Sequence, residues 1–450
     1  MTIELSTPAR IPGGIPLLGH AREFTRLPLD FVTQQYDRGD VVQFQLGPTA
    51  AYLLTSPRAV HDLLRGHHNV SRNGVLFERL KILGGNGLGS LFGKAHRDRR
   101  QMIMPLFAHG RIEQYAQVMS EVAAATSEPW QDGQELALDT ELHTLAATIL
   151  VRTLFSSDLG RDAAAEAAGH LRVVFAGVAR RAYAPTDLLF RLPTAANRQF
   201  TFAVRELHDL VDRIIAAYRS EDVPRSDMLT MFLAARDAET GEPLTDEQVH
   251  DDVMTAFFVG TEASAAALSW TFHLLDRHPD IAARVQDEVD EVVTGPAARI
   301  EDLPRLSYLR RVVDETLRLY PPGWLFPRIP VEDIAIAGYR VPREANVFFS
   351  PYTLHHDERS FPDPEKFDPD RWIPGRANEI PPHAYIPFGL GQRSCVSGPM
   401  AVNELLIVVA TLMSRWRFTG VPGATIAPVA ATTLRPSRLP MVIHQRSRAA

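Results

Sequence analysis

The chain has 450 residues, 45% of them hydrophobic, with a net charge of −7 and one cysteine. The negative charge argues against nucleic acid as a partner, and a lone cysteine excludes an intrachain disulfide or a multi-cysteine metal cage. No run reaches the roughly 18 consecutive apolar residues of a membrane span, so a cytoplasmic protein without such a span is expected, which one cysteine fits.

Length alone would suggest about three domains. Yet the 33 prolines and 28 glycines are scattered, and no linker or repeat divides the chain. One domain over residues 1–450 is expected, β-rich to about residue 66 and helix-rich beyond.

Residues 11–20, IPGGIPLLGH, make a proline-glycine lead-in, and residues 29–38 predict a helix. Residues 41–46 and 51–54 predict a hairpin around Gly47-Pro48, because Val, Phe, Tyr and Leu favour strands. A short helix is expected over residues 57–66. Residues 67–93 predict an irregular, flexible lid over an apolar pocket, with Gly84, Gly85, Gly87, Gly89 and Gly93 alongside Phe77, Leu80 and Phe92. G-x-G-x-x-G is not met there, and no βαβ pattern surrounds it.

Residues 93–107 predict a helix on which His96 and Arg100 share one face, four residues apart. A basic turn of this kind is ordinarily a solvated face. Residues 112–125, 138–155, 163–181 and 197–219 carry apolar residues at helical spacing and supply core, with Phe175 either core or cavity wall. Residues 245–277 predict a helix about 48 Å long at 1.5 Å per residue. Thr245 and Gln248 make its capping box, and Pro279 ends it. Its middle runs Phe258-Val259-Gly260-Thr261-Glu262-Ala263-Ser264. An interior glycine costs about 1 kcal/mol against alanine, and a carboxylate among apolar neighbours is costly to bury. The residues alone allow either close packing at Gly260 with a solvent-facing Glu262, or a functional site.

Residues 308–319 predict a helix bearing Glu315 and Arg318, and residues 323–328 a strand edge holding Trp324, Phe326 and Arg328. Short strands are expected at 334–341 and 346–350, and a small apolar turn at 430–434. Phe388-Gly389-Leu390-Gly391-Gln392-Arg393-Ser394-Cys395 leads into an apolar helix over residues 399–416. A lone cysteine is ordinarily a small buried hydrophobe. At a helix start, though, a thiolate gains from the dipole and the free backbone N–H groups. The glycines let backbone approach a flat cofactor, and an arginine two residues before the sulfur can reach an anionic edge. A thiolate-ligated haem iron asks for these features.

The segment resembles the haem-binding loop of the cytochrome P-450 family, F-G-x-G-x-R-x-C-x-G. Phe388, Gly389, Gly391, Arg393 and Cys395 are in place, while Ser397 stands where the family usually has glycine. Three further motifs follow the family. They are H-x-x-x-R at His96 and Arg100, E-x-x-R at Glu315 and Arg318, and F-x-P-x-R-[FW] from Phe367 to Trp372. The oxygen-activating motif [AG]-G-x-[DE]-T-[TS] is matched by Gly260, Glu262 and Ser264, with Val259 and Ala263 departing. The resemblance covers residues 10 to 445, roughly, and is nearest to bacterial members of terpenoid or other secondary metabolism. No H-E-x-x-H, G-x-S-x-G or zinc spacing competes.

The resemblance implies a mainly α fold with small β-sheets (α+β), its long central helix crossing the haem. It implies Cys395 as iron ligand, with Phe388 and Gly389 in the haem loop and His96, Arg100, Arg328 and Arg393 as haem contacts. Glu315, Arg318 and Arg371 form a structural clamp. Gly260, Thr261, Glu262, Ala263 and Ser264 surround the oxygen site. Because Ala263 replaces the family's threonine, protons would come through Ser264, Thr261, water or a substrate hydroxyl. The implied activity inserts one oxygen atom of O2 into a C–H bond or alkene of a small hydrophobic substrate, a bacterial terpenoid. Its pocket would be lined by Phe77, Leu80, Phe92, Phe175, Phe258, Trp324 and Phe326. The cofactor is haem b, and NAD(P)H electrons would arrive through ferredoxin reductase and ferredoxin, since the chain has no flavin or nicotinamide motif. Lys94, Arg97, Arg99 and Arg111 would present a basic patch to an acidic ferredoxin, and the protein is expected to be a monomer. The alternatives are peroxide use, or substrate rearrangement or cyclisation, given Ala263. A haem- or ligand-binding protein without turnover is the reading from a different class.

Overall fold

The structure is a computed structural model, and it describes residues 5–67, 71–155, 161–182, 188–220, 225, 227–237 and 239–446. The helices that build and frame the site are α1 (Val75–Gly84), α2 (Gly93–Ile103), α3 (His109–Ser127), α4 (Leu138–Leu154) and α5 (Arg161–Ala182). They are followed by α6 (Ala195–Ser220), α7 (Asp246–Arg277), α8 (Pro279–Val292), α9 (Ser307–Leu319) and α10 (Gly398–Arg415).

Helix α7 runs for 32 residues between the predicted stops. Thr245 Oγ1 accepts the Gln248 N–H at 3.2 Å, and Gln248 Oε1 accepts the Thr245 N–H at 3.0 Å. Pro279 then opens α8. The middle of α7 lies against α4, and a Cβ on Gly260 would sit 3.3 Å from Leu150 Cδ1. Helix α10 is buried almost all round, from Leu405 through Leu412, as a helix apolar on every face requires. No described helix is long and apolar enough to cross a membrane.

The N-terminal sheet orders its strands β1 (Ala9–Arg10), β2 (Val41–Leu46), β3 (Thr49–Leu54), then β6 (Asn346–Phe349), β5 (Phe326–Pro330) and β4 (Ser71–Asn73). The β2–β3 register pairs Leu46 with Thr49, so the turn is Gly47-Pro48 alone and β3 starts two residues earlier than expected. Gly47 takes φ +61°, which favours glycine. In β5, Arg328 lies between Val347 of β6 and Asn73 of β4. The apolar turn expected at 430–434 is the connection of a hairpin, β7 (Pro428–Ala430) with β8 (Leu434–Pro436), whose last pair is Ala430 with Leu434.

Two expectations need correction. The helix predicted for residues 29–38 is split into Pro28–Thr33 and a 3-10 turn at Tyr36–Arg38. The segment expected to be irregular contains β4 and the ten-residue helix α1. Its glycines serve close packing on α7. A Cβ on Gly87 would be 2.5 Å from the Asp251 carbonyl oxygen, and one on Gly84 2.5 Å from Thr255 Oγ1. Asp251 and Asp252 also accept the Asn86 and Leu88 N–H groups, each at 2.8 Å, so α7 itself fixes this segment.

Candidate active site

The loop before Cys395 turns twice through the left-handed region, with φ +71° at Gly389 and +70° at Gly391. A Cβ on Gly391 would also stand 2.9 Å from the Leu64 carbonyl oxygen. The Cys395 N–H donates to the Phe388 carbonyl at 2.8 Å and closes the loop. That leaves the thiol exposed just ahead of α10. Ser397 has φ −93°, a conformation open to any residue, so its backbone does not require the family's glycine. Gly398 packs against Phe388 instead, where a Cβ would be 3.3 Å from the ring. The Ser397 hydroxyl oxygen lies 3.3 Å from Cys395 Sγ.

Around this loop the structure gathers cations without a counter-charge. Arg100, on α2, donates to the Ser394 carbonyl at 2.7 Å and to Ser394 Oγ at 3.3 Å. Arg393 donates to the Leu91 carbonyl at 2.7 Å and to Asn73 Oδ1 at 3.3 Å. Arg328 is buried, gives one hydrogen bond to the Pro327 carbonyl at 2.8 Å, and leaves its Nε without a partner. Among the described residues no carboxylate forms an ion pair with Arg100, Arg328 or Arg393. Burial, and then Arg393, push the Arg328 guanidinium down to about 9; burial, and then Arg100, push Arg393 down to about 10. His96, turned inward from α2, falls to about 3 through burial first, then Arg393, Arg100 and Arg328. Cations withdrawn from water in this way are costly unless an anion meets them. The cluster therefore fits the carboxylate edge of an anionic cofactor such as haem, whose iron Cys395 Sγ would hold.

On α7, Val259 is 53% exposed and Ala263, four residues on, is partly exposed, so the two share an open face at the middle of a helix that is mostly buried there. Sequence reasoning noted Val259 only as a departure from a motif. Gly260 lies against Leu150, where α7 packs closely on α4. Glu262 is buried rather than solvent-facing. It accepts from Thr432 Oγ1, in the β7–β8 turn, at 3.1 Å, and Arg435 of β8 lies 3.9 Å away. Burial raises its carboxyl above the usual range, opposed by Thr433, Thr432 and Arg435. The two side chains named for proton delivery are committed as well. Thr261 Oγ1 donates to the Phe257 carbonyl at 3.2 Å, and Ser264 Oγ donates to Glu404 Oε2 on α10 at 3.0 Å. Glu404 was not foreseen; burial pushes its carboxyl up to about 8.

The clamp residues meet. Arg318 donates to both oxygens of Glu315 at 2.9 Å, and Arg371 Nε reaches Glu315 Oε1 at 3.3 Å. The Trp372 indole N–H and the Asp368 backbone N–H complete the carboxylate's partners, at 2.9 and 3.1 Å. Four further guanidinium hydrogens go to the carbonyls of His355, Lys366, Pro362 and Asp363. Two arginines on one carboxylate are tolerated in a buried site because the backbone dipoles supply the rest.

The expected pocket residues separate. Phe175 of α5 and Phe258 of α7 stack with ring centroids 4.4 Å apart. Phe77 is partly buried on α1, Phe92 caps α2 at 36% exposure, and the Leu80 side chain lies outside the described residues. Trp324 departs from expectation: it is 2% exposed in a core cluster with Phe44 and Phe348, and its indole N–H donates to the Ala431 carbonyl at 2.9 Å. Phe326 stacks on Phe349 with centroids 5.3 Å apart and covers Gly323. The basic patch also loses a member, since Arg99 is buried and paired with Asp252 of α7 at 2.7 Å. Lys94 is engaged by Asp98 and Glu239, at 2.9 and 3.1 Å.

A family model described as cytochrome P450 matches residues 9–443. Cyclooctatin synthase of Streptomyces melanosporofaciens is 40% identical over 97% of this chain and 95% of its own length. Cyclooctat-9-en-7-ol 5-monooxygenase of the same organism is 38% identical over 98% of this chain and 96% of its own. Pentalenene oxygenase of Streptomyces avermitilis is 36% identical, covering 97% of each chain. The crystal structure of the cytochrome P450DA heme domain shares the fold, with a TM-score of 0.88 over 99% of both chains at 23% identity.

Proposed function

The chain belongs to the cytochrome P450 family, and from that premise we propose that it is a monooxygenase of bacterial terpenoid secondary metabolism. The observation that carries the haem is the set formed by the buried guanidinium of Arg328 and the half-buried ones of Arg100 and Arg393, which have no carboxylate partner among the described residues and gather around the loop of the exposed Cys395. When bound, haem b supplies the activation of O2 that inserts one oxygen atom into a C–H bond or alkene. Cys395 Sγ would hold the iron, and the three arginines with His96 would hold the propionate edge. Phe388, packed on Gly398, would support the loop that carries the sulfur.

The open face of Val259 and Ala263 supports an apolar substrate surface on α7, backed by the stacked Phe175 and Phe258. Two relatives are named for pentalenene, an alkene, and for cyclooctat-9-en-7-ol, an unsaturated alcohol, and substrates of that class suit such a surface. We assign electron supply to NAD(P)H through ferredoxin reductase and ferredoxin, and take the protein as a cytoplasmic, single-domain monomer. Titrating the purified enzyme with a terpenoid panel tests this. At least one member should shift the ferric spectrum from low to high spin and be oxygenated with redox partners, NADPH and O2. Cys395→Ala should lose the thiolate-type spectrum of the carbon monoxide complex, and an unchanged spectrum would refute the ligand assignment.

A second reading is favoured by one observation. Ala263 has no hydroxyl, and Thr261, Glu262 and Ser264 all face protein partners. A substrate hydroxyl or water would then bring the proton, or the enzyme would use peroxide or rearrange its substrate. Turnover with peroxide alone, matching turnover with O2 and redox partners, would establish this reading.

A further inference from the structure

We propose that the hydroxyl of Ser397 donates a hydrogen bond to the Cys395 sulfur when that sulfur is the iron ligand, and so weakens its electron donation to the metal. The inference rests on the assignment of Cys395 above and adds a positioning residue that acts through the ligand.

Ser397 Oγ lies 3.3 Å from Cys395 Sγ, within reach for a sulfur acceptor. A thiolate carries no proton, so only the serine can donate. Ser397 is the N-cap of the 18-residue helix α10, where serine ordinarily accepts an N–H from the first turn. Here its side chain makes no such bond. Two features explain this. Pro399 has no N–H to offer at the second helical position, and φ −93°, ψ 9° at Ser397 is not the extended backbone that aims a side chain over the helix end. The hydroxyl is thereby released from capping and directed to the sulfur. Most members of the resembled family have glycine here and no side chain to make this contact. A hydrogen bond to a ligating sulfur draws charge away from the metal and favours the reduced state, which carries more negative charge.

The test uses the haem-loaded full chain and three proteins: wild type, Ser397→Ala and Ser397→Thr. Ser397→Ala should shift the ferric/ferrous potential to more negative values and the C–O stretch of the ferrous carbon monoxide complex to lower wavenumber. Ser397→Thr keeps the hydroxyl and should restore both. If Ser397→Ala keeps its thiolate spectrum but matches wild type in potential and stretch, the hydrogen bond is refuted while the ligand assignment stands. If threonine fails to restore either quantity, the effect comes from packing and the inference falls. A wild-type enzyme without a thiolate spectrum overturns both.

Discussion

His355 Nε2 accepts the backbone N–H of Ile386 at 2.9 Å, which ties the buried clamp to the loop that ends at Cys395. The other ring nitrogen, Nδ1, then carries the proton and donates to the Arg318 carbonyl at 3.1 Å. Arg318 in turn donates to the His355 carbonyl at 2.9 Å, so the two residues are joined both ways. The Glu315–Arg318–Arg371 cluster thus acts on the site through position: it fixes His355, and His355 fixes the start of the cysteine loop.

Replacing His355 by leucine preserves bulk but leaves the Ile386 N–H and the Arg318 carbonyl unpaired in a site with no exposure. Each orphaned group of this kind costs about 1–3 kcal/mol. The expected result is a lower urea midpoint and reduced haem retention, with the arginine clamp itself intact. A variant that unfolds at the wild-type midpoint and keeps full haem would show that the link carries no load.

How much of this was legible in the sequence depends on how local each cause is. The ends of α7 were readable because Thr245, Gln248 and Pro279 act within one turn of the residues they stop. The cysteine loop was readable because its glycines, arginine and sulfur are contiguous. Helix α1 was not, because Gly84, Gly85 and Gly87 look like breakers until Asp251 and Thr255 are placed against them. The same distance hid the direction of Ser264, whose partner Glu404 is 140 residues away. Arg99 reads as one more surface cation unless Asp252 is known to face it. His355 carries no local signal: its neighbours say helix or turn, and only the fold gives it Arg318 and Ile386.

Glu404 makes a pH prediction of definite sign. Its carboxyl is held at about 8 in the native state by burial, against an ordinary 4.5, with the Ser264 hydroxyl opposing the shift. Between those values the native protein keeps a proton that the unfolded chain releases, so this group's contribution falls as pH rises from 4.5 toward 8. Glu404→Gln keeps an acceptor for Ser264 and removes the titration. Its stability relative to wild type should climb over that window, by on the order of a few kcal/mol, and level off above it. Urea midpoints of both proteins at a series of pH values give the answer; parallel curves would mean that Glu404 is ionised in the fold.

Ala263→Thr restores the hydroxyl that the family's oxygen-activating motif carries. Threonine lowers helix propensity by roughly half a kcal/mol, a small effect beside the gain of a donor on the open face shared with Val259. The expected outcome is a severalfold drop in the share of NADPH electrons recovered as peroxide, at near-wild-type stability. If product rate and peroxide share both stay put, the oxygen site does not lie at this turn of α7.

Arg328 separates a structural role from a cofactor role by the sign of two measurements. A buried guanidinium with one hydrogen bond and an unpartnered Nε destabilises the fold by itself, and burial has already lowered its proton affinity to about 9. Substituting methionine keeps the unbranched stem between Val347 and Asn73 while removing the desolvated charge. The haem-free protein should therefore be as stable as wild type or gain about 1–3 kcal/mol in urea unfolding. Haem affinity should move the other way, because one of the four groups assigned to the propionates is gone, and a charge-assisted hydrogen bond contributes about 1.5–3 kcal/mol. That corresponds to a loss of roughly tenfold to a hundredfold in binding, read from the rate of haem transfer to an acceptor protein. Opposite signs are what an anion cradle demands, since the charge that is costly in the empty fold is the one that holds the ligand. If methionine destabilises the haem-free protein instead, Arg328 is part of the sheet's own support and the cradle rests on Arg100, Arg393 and His96 alone.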